Sequence, residues 1–246
     1  MVKTRIFLLF CFLFLLISSA YAFSDAEVSA LQEKAHALSR PERIAFFALG
    51  FVNTPYDKDP LGAYVRNSEI VHDSAVDCMY QVFRSTELAF SNTPDQARQE
   101  ALFLRFKDRG QVDKSGKVLN YDDRFQYGED MILSGKWGRD VTASLGKTEK
   151  MEGSRGIPCV NILPKERIAL ALPRFKSGDI VFFVKHTRQR IVGEIIGHMG
   201  TIDVEGGTVY LVHAHGTKSR GGMVVKVPFG DYVKDMPFAG VMVTRF

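Results

Sequence analysis

The spacing of apolar residues divides the chain into a helical front half and a strand-rich back half. In the front half, Ser24, Ser39 and Thr93 are each followed three positions later by Glu or Gln, a pattern typical of helix starts. A further helix is predicted to begin at Cys78, with Asp77 as its N-cap, because apolar residues follow at helical spacing. The front half is therefore predicted to be largely helical.

After Lys176 the chain carries short apolar or alternating runs bounded by glycines, which predict strands. These runs cover residues 180–184, 191–204, 208–213, 223–227 and 240–244. Helices first and strands afterwards favour an α+β domain, with the N-terminal helices packed on one side of a C-terminal antiparallel sheet. Residues 110–164 are rich in glycine and charge and give no clear pattern; we expect them to shape a substrate groove.

The first residues are typical of a secretory signal peptide. Lys3 and Arg5 precede a short apolar run, and small residues stand before the cleavage position at Ala22. A membrane-spanning helix needs about 20 apolar residues, and this run is closed earlier by polar ones. We predict that residues 1–22 are removed, leaving one domain over residues 23–246 in the periplasm or outside the cell. An uncleaved membrane anchor is the alternative.

Composition and charge exclude few classes of protein function. The chain has 46% hydrophobic and 24% charged residues, as expected of a globular domain. A net charge of +4, part of it in the leader, is too balanced to predict a nucleic-acid partner and is compatible with a mildly anionic polymer such as cell wall. The chain has no HExxH zinc spacing, so we expect a mechanism without metal or cofactor.

The candidate chemistry begins with Cys78 at a predicted helix start. Unpaired N–H groups there favour a thiolate and can also hold the oxyanion of a tetrahedral intermediate. His198 is the candidate base that takes the thiol proton and later protonates a leaving amine. A third residue must orient the His198 ring, and His213 and His215, two residues apart on one strand face, both qualify.

Turn geometry leaves the choice between these two histidines open. A two-residue turn at Gly206-Gly207 would place His215 opposite His198. A loop centred one residue earlier would instead pair His198 with His213. Both registers remain compatible with the sequence.

The cysteines allow a competing, structural interpretation. Cys11 leaves with the predicted leader, so Cys78 and Cys159 remain, and an oxidising compartment favours a disulfide between them. A chain of this size buries enough apolar surface without such a crosslink. We therefore favour Cys78 as a free nucleophile.

Several short segments, taken in order, resemble the NlpC-type, papain-like cysteine hydrolases of bacterial cell walls. They are Asn53-Thr54-Pro55-Tyr56, Asp77-Cys78, Gly178-Asp179-Ile180, His198-Met199-Gly200 and Val212-His213-Ala214. Residues 121–132 and the tail 231–246 are most similar to the branch described as N-acetylmuramoyl-L-alanine amidase-like, first catalogued as a domain of unknown function.

The resemblance implies a papain-like fold with Cys78 as nucleophile, His198 as base and acid, and His213 as the orienting residue. It favours His213 over His215. It also implies that Tyr56 is an active-site hydroxyl and that Asp77 is a candidate binder of a substrate amine. The predicted substrate-binding residues are Tyr56, Asp77, Tyr121 and Arg124.

The implied activity is hydrolysis of the amide between the muramic acid lactyl group and L-alanine in peptidoglycan or muropeptides, through a thioester. Three alternatives remain. A γ-D-glutamyl endopeptidase would use the same residues on another bond of the stem peptide. A catalytically silent wall-binding protein would keep Cys78 inert, and a thiol acyltransferase would transfer the acyl group to an acceptor other than water.

Overall fold

A computed structural model describes residues 23–246, and the predicted signal peptide, residues 1–22 with cleavage after Ala22, lies outside this range. The helices within it are α1 (Asp25–Lys34), α2 (Arg40–Gly50), α3 (Ala63–Arg66), α4 (Cys78–Ala89), α5 (Pro94–Leu104), α6 (Gly128–Ser134), α7 (Thr142–Leu145), α8 (Lys165–Ala171) and α9 (Phe229–Asp235). None of the helices from residue 23 onward combines the length and apolarity needed to cross a membrane.

The strands are β1 (Arg139–Asp140), β2 (Glu149–Glu152), β3 (Cys159–Pro164), β4 (Ile180–Val184), β5 (Ile196–Glu205), β6 (Thr208–Thr217), β7 (Gly221–Pro228) and β8 (Gly240–Arg245). They form an antiparallel sheet in the order β2-β3-β8-β4-β5-β6-β7, with β1 also paired to β8. The α+β class predicted from the sequence is therefore confirmed.

Local capping chemistry explains why the front half starts its helices where it does. The Glu27 and Glu42 carboxylates accept the backbone N–H groups of Ser24 and Ser39 at 2.8 Å, before α1 and α2 respectively. The Thr93 hydroxyl accepts a backbone N–H of the first turn of α5 at 3.2 Å. These contacts satisfy N–H groups that have no partner inside a helix.

Two strand predictions need correction. The strand predicted from residue 191 begins at Ile196, because Ile191 and Val192 lie in a loop with 89% and 65% of their surface exposed. Strands β1 to β3 were not predicted at all. The side chains of β2 are mostly exposed, so its sequence lacks the alternation of apolar and polar residues from which a strand is predicted.

Helices cover both faces of the sheet, which corrects the prediction of a single helical face. Along β4, Ile180, Phe182 and Val184 face a core shared with α4 and α5. Val181 and Phe183 point the other way, into a core closed by the short helices α7, α8 and α9. The strand is apolar throughout because both of its faces are covered.

A charged network lies inside the helical layer. Arg84 Nε is 3.0 Å from Asp73 Oδ2, and Arg105 Nη2 is 2.7 Å from Glu87 Oε2. The four side chains are at most 3% exposed. An unpaired charge at such depth would cost several kcal/mol, about 3–5 when one partner is removed, so the pairing is needed for α4 and α5 to pack.

Strands β5 and β6 are paired from Thr201↔Val212 to Glu205↔Thr208. The connecting turn is therefore the two glycines Gly206-Gly207. Strand β5 extends back to Ile196 and β6 onward to residue 217, beyond this paired stretch. Helix α4 contacts both strands.

Candidate active site

Cys78 occupies the first position of α4. The Asp77 side chain caps this helix, with its Oδ1 accepting the Tyr80 N–H at 2.9 Å, as the sequence predicted. Cys78 packs against the core cluster that includes Met199, and the backbone N–H groups of Met199 and Met79 act to lower the pKa of its thiol. Because Met199 follows His198 in β5, the thiol lies next to the strand that carries the candidate base.

Cys78 and Cys159 are both free thiols in the described chain. Cys78 is half-buried, whereas Cys159 is exposed in β3. The structure therefore does not contain the disulfide of the competing interpretation.

His198 and His213 form a direct pair, with 2.6 Å between His198 Nε2 and His213 Nδ1. His213 is 1% exposed, and His215 is exposed on the same face of β6. The resemblance favoured this pairing, whereas the turn geometry corresponds to the register that sets His215 opposite His198. Side-chain contact between these strands is thus diagonal rather than straight across.

Gly200 explains how the diagonal contact is possible. Continuing the register beyond Thr201↔Val212 sets Gly200 opposite His213. A Cβ at Gly200 would lie 2.9 Å from the His213 Cβ and 2.8 Å from a methyl carbon of Leu211. The missing side chain leaves the space over which the His213 ring leans toward His198.

Three aromatic side chains surround this pair, and sequence reasoning identified none of them as site residues. The Phe183 ring stacks on His198 at 5.4 Å, and the Phe238 ring lies parallel to it at 6.2 Å. The Tyr232 ring meets His213 edge-on at 4.9 Å. These rings come from β4, α9 and the loop before β8, and only the fold brings them together.

Burial is the main cause of the pKa shifts of His198, His213 and Cys78. It lowers the pKa of His198 to about 4. Burial and the neighbouring His198 lower the pKa of His213 to about 2. Burial, with the Asp77 carboxylate, raises the pKa of the Cys78 thiol to about 12. At neutral pH the site therefore holds a neutral thiol and neutral imidazoles, so the expected thiolate at the helix start is outweighed by desolvation.

Tyr56 lies beside the thiol. Its ring packs on Gly216, where an added Cβ would come within 2.7 Å of it, and its backbone N–H donates to the Gly222 carbonyl at 2.9 Å. Burial, followed by the charges of Cys78 and Asp77, raises the pKa of the Tyr56 phenol. Its hydroxyl is therefore protonated and available as a hydrogen-bond donor.

The second oxygen of Asp77 is held by the protein itself. Lys218 Nζ, from the turn between β6 and β7, lies 3.0 Å from Asp77 Oδ2 and 3.1 Å from the Asp57 carbonyl oxygen. Asp77 was predicted to bind a substrate amine. In this structure the amine on that carboxylate belongs to Lys218.

Tyr121 and Arg124 lie together in the helical layer. Tyr121 is 8% exposed, and its hydroxyl donates to the Glu69 carbonyl at 2.5 Å. Arg124 Nη1 donates to the Tyr121 carbonyl at 2.9 Å. Neither residue is in the wall of the cavity beside His198, and their role in substrate binding stays a prediction.

A cavity of about 700 Å³ opens beside the histidine pair. Its wall includes His198, His213, His215, Arg220, Tyr232 and Phe238, together with one carboxylate, Asp235. Across residues 23–246 no group of three or more His, Cys, Asp or Glu side chains is arranged to hold a metal ion. The cavity offers space for a sugar or peptide next to the candidate base.

No family model and no curated protein matches the chain. Solved structures do. An N-acetylmuramoyl-L-alanine amidase from Bacteroides uniformis is 22% identical, with a TM-score of 0.64 over 84% of this chain and 98% of that chain. A Legionella pneumophila protein of the DUF1460 family is 15% identical, with a TM-score of 0.67 over 89% and 93%. A Bacteroides fragilis protein named as a candidate xylanase is 23% identical, with a TM-score of 0.62 over 81% and 99%. The chain has the α+β fold of these proteins.

Proposed function

We propose that the protein is a cysteine amidohydrolase that cleaves the N-acetylmuramoyl-L-alanine amide bond of peptidoglycan or muropeptides through a thioester intermediate. The observation that carries the proposal is the His198–His213 pair beside a cavity, together with the free thiol of Cys78 at the start of α4, a helix that packs against the strand of His198. The fold is similar to that of a protein named as such an amidase. The substrate and bond are inferred from that likeness and from the sequence resemblance, and the chemistry is inferred from the site.

In the acylation step, the Cys78 sulfur attacks the lactyl carbonyl carbon and its proton passes to His198. Because His198 Nε2 is held by His213, Nδ1 is the ring nitrogen left for this proton. Backbone N–H groups at the start of α4 stabilise the oxyanion. His198 then protonates the L-alanine nitrogen, the C–N bond breaks, and the acyl group remains on sulfur. Water, deprotonated by His198, releases the muramic acid carboxylate.

The tautomers follow from this assignment. For His198 to accept a proton at Nδ1, its Nε2 must carry hydrogen and donate to His213 Nδ1, which places the hydrogen of His213 on Nε2. Within residues 23–246, His213 Nε2 is buried and has no hydrogen-bond partner. His213 therefore orients His198 as a neutral acceptor, and its low pKa keeps it in that form.

The name of the Bacteroides fragilis neighbour raises glycoside hydrolysis as a second chemistry. Glycosidases place two carboxylates on either side of the scissile bond. The described cavity wall includes a single carboxylate, Asp235. A thiol with a histidine pair suits acyl transfer better than glycosyl transfer.

The test is digestion of purified muropeptides by the protein and by its Cys78→Ala form, with the products identified by mass spectrometry. We expect free stem peptide beginning at L-alanine from the unmodified protein and from a matched Cys159→Ala control, and none from Cys78→Ala. Cleavage after γ-D-glutamate would support the endopeptidase instead. No cleavage of any kind would contradict a hydrolase and favour a wall-binding protein.

We also propose that residues 1–22 act as an export signal and that residues 23–246 work as one domain outside the cytoplasm. The mass of the protein recovered from the periplasm or medium would test this. Cleavage after Ala22 is the expected result, and recovery of the whole chain in the membrane fraction would support an uncleaved anchor.

A further inference from the structure

Lys218 forms an ion pair with the carboxylate of Asp77, the residue before the candidate nucleophile Cys78. Asp77 Oδ1 accepts the Tyr80 N–H at 2.9 Å and Oδ2 accepts from Lys218 Nζ at 3.0 Å. The side chains of Asp77 and Lys218 are 19% and 31% exposed, so the pair is only partly screened by solvent. Neither oxygen of this carboxylate is left without a partner.

Lys218 is held in this position from two further directions. Its Nζ donates to the Asp57 carbonyl at 3.1 Å and lies 5.7 Å from the centre of the Tyr56 ring. The backbone on either side is fixed because β6 and β7 pair as far as Thr217↔Gly221. The ammonium is thus a built part of the site rather than a mobile surface charge.

Four titratable or charged side chains interact with the Cys78 thiol: Asp77, Lys218, Tyr56 and Tyr232. Tyr56 and Tyr232 are neutral at neutral pH, as is the candidate base His198. Within this group, Lys218 supplies the cation and Asp77 the anion that it neutralises.

We infer that Lys218 determines specificity: by occupying Asp77 and adding a positive charge beside the thiol, it excludes acyl groups that carry a free ammonium. This rests on the proposed function and deepens it. In the amidase reaction the acyl part is the lactyl group of an uncharged sugar. In the endopeptidase reaction on a stem peptide already released from muramic acid, it ends in the free amine of L-alanine. Lys218 therefore favours the amidase bond.

The first test needs no turnover. Cys78 is alkylated with neutral iodoacetamide and with cationic 2-bromoethylammonium, and each cysteine is followed by peptide mapping. We expect Lys218→Met to raise the cationic-to-neutral rate ratio at Cys78 by about tenfold, since a charge of the same sign has been removed from beside the thiol. The exposed Cys159 serves as an internal reference whose ratio should not change.

Two further variants sharpen this test. Lys226→Met is the matched control, because Lys226 also pairs with carboxylates, Asp203 at 2.8 Å and Glu205 at 2.7 Å, but away from the thiol. Asp77→Asn added to Lys218→Met should reverse the gain while keeping a side chain able to cap α4. An unchanged ratio at Cys78 in Lys218→Met would overturn the inference.

The second test compares kcat/KM for a muramoyl-L-alanyl peptide and for an L-alanyl-γ-D-glutamyl peptide with a free amine. Lys218→Met should shift the ratio toward the free-amine peptide, and Lys218→Arg should not. An unchanged ratio in an active Lys218→Met enzyme contradicts the specificity role. If the unmodified protein cleaves neither peptide, the proposed function fails, and the alkylation test still decides the role of Lys218 at the thiol.

Discussion

Helix α4 carries buried polar side chains in its middle and at its first residue, and the two sets differ in charge. In its middle, Arg84 and Glu87 keep their charges, because Asp73 and Arg105 supply opposite charges at hydrogen-bond distance. At its first residue, burial keeps the Cys78 thiol neutral, and burial also keeps His198 and His213 neutral on the neighbouring strands. The charged network fixes the helix in place, whereas the neutral group keeps a proton that can move.

This difference separates stability from activity along a single helix. A substitution in the charged network leaves a buried charge unpaired and lowers the stability of the fold. A substitution among the neutral groups removes no ion pair and lowers the catalytic activity.

Cys78→Ala should lower kcat/KM by about 10³-fold or more, because the acyl group then has no nucleophile to bind. The thermal midpoint should stay within about 4 °C, since no charge is left unpaired. Steady-state kinetics and a melting curve of the same sample measure both. A large loss of stability would show that the thiol end of α4 is as structural as its middle.

Glu87→Gln should destabilise the fold by about 3–5 kcal/mol, because Arg105 loses the charge that offsets its burial. Denaturant unfolding measures the loss, and turnover per folded molecule should be unchanged. Asp231→Asn, which breaks the exposed pair with Lys234, is the control and should leave the midpoint of unfolding unaltered. Equal midpoints for both variants would contradict the comparison.

Gly200→Ala should lower kcat/KM by about 10-fold to 100-fold, because the new Cβ enters the space used by His213 and moves the ring away from His198. Adding His213→Ala to Gly200→Ala should cause little further loss, since both changes break the same contact. Fully additive losses would show that Gly200 acts by another route.

His213→Ala should cost about 10-fold to 100-fold in kcat/KM, less than His198→Ala, because His213 orients the base and does not itself transfer the proton. His215→Ala should change activity by about twofold at most, as expected of an exposed side chain outside the pair. Parallel kinetics of the three variants measure the ranking. A large loss of activity in His215→Ala with a small loss in His213→Ala would show that His215, not His213, orients His198.

The pH profile should be nearly flat near neutrality. The base must be unprotonated, so kcat/KM rises as pH rises through the His198 pKa of about 4. No alkaline fall is expected below the Cys78 pKa of about 12. Activity should therefore vary by less than about twofold between about pH 6 and about pH 9. A bell-shaped profile over that interval would indicate a thiolate–imidazolium pair instead.

The sequence predicted those parts of the fold that are determined locally. The capping serines gave the starts of α1 and α2, and Asp77 gave the start of α4. Strands β1 and β3 were missed because they pair with the distant strand β8, and β2 was missed because its side chains are mostly exposed. The apolar Ile191 and Val192 misled the prediction because nothing covers them.

The candidate site shows the same limit. Cys78 and His198 could be proposed from residue type and spacing. Strand register alone left His213 and His215 undecided, since the contact is diagonal and depends on the space above Gly200. Tyr232 and Lys218 reach the site from α9 and from a turn, and no local pattern marks either residue.

A thioester between Cys78 and the muramoyl group would be direct evidence for the proposed mechanism. The protein is mixed with a muramoyl-L-alanyl peptide, quenched in acid during turnover, and mapped by mass spectrometry. We expect a muramoyl group bound as a thioester to Cys78, formed as stem peptide is released and lost as muramic acid product forms. Turnover without an adduct on Cys78, or turnover that survives Cys78→Ala, would contradict this mechanism.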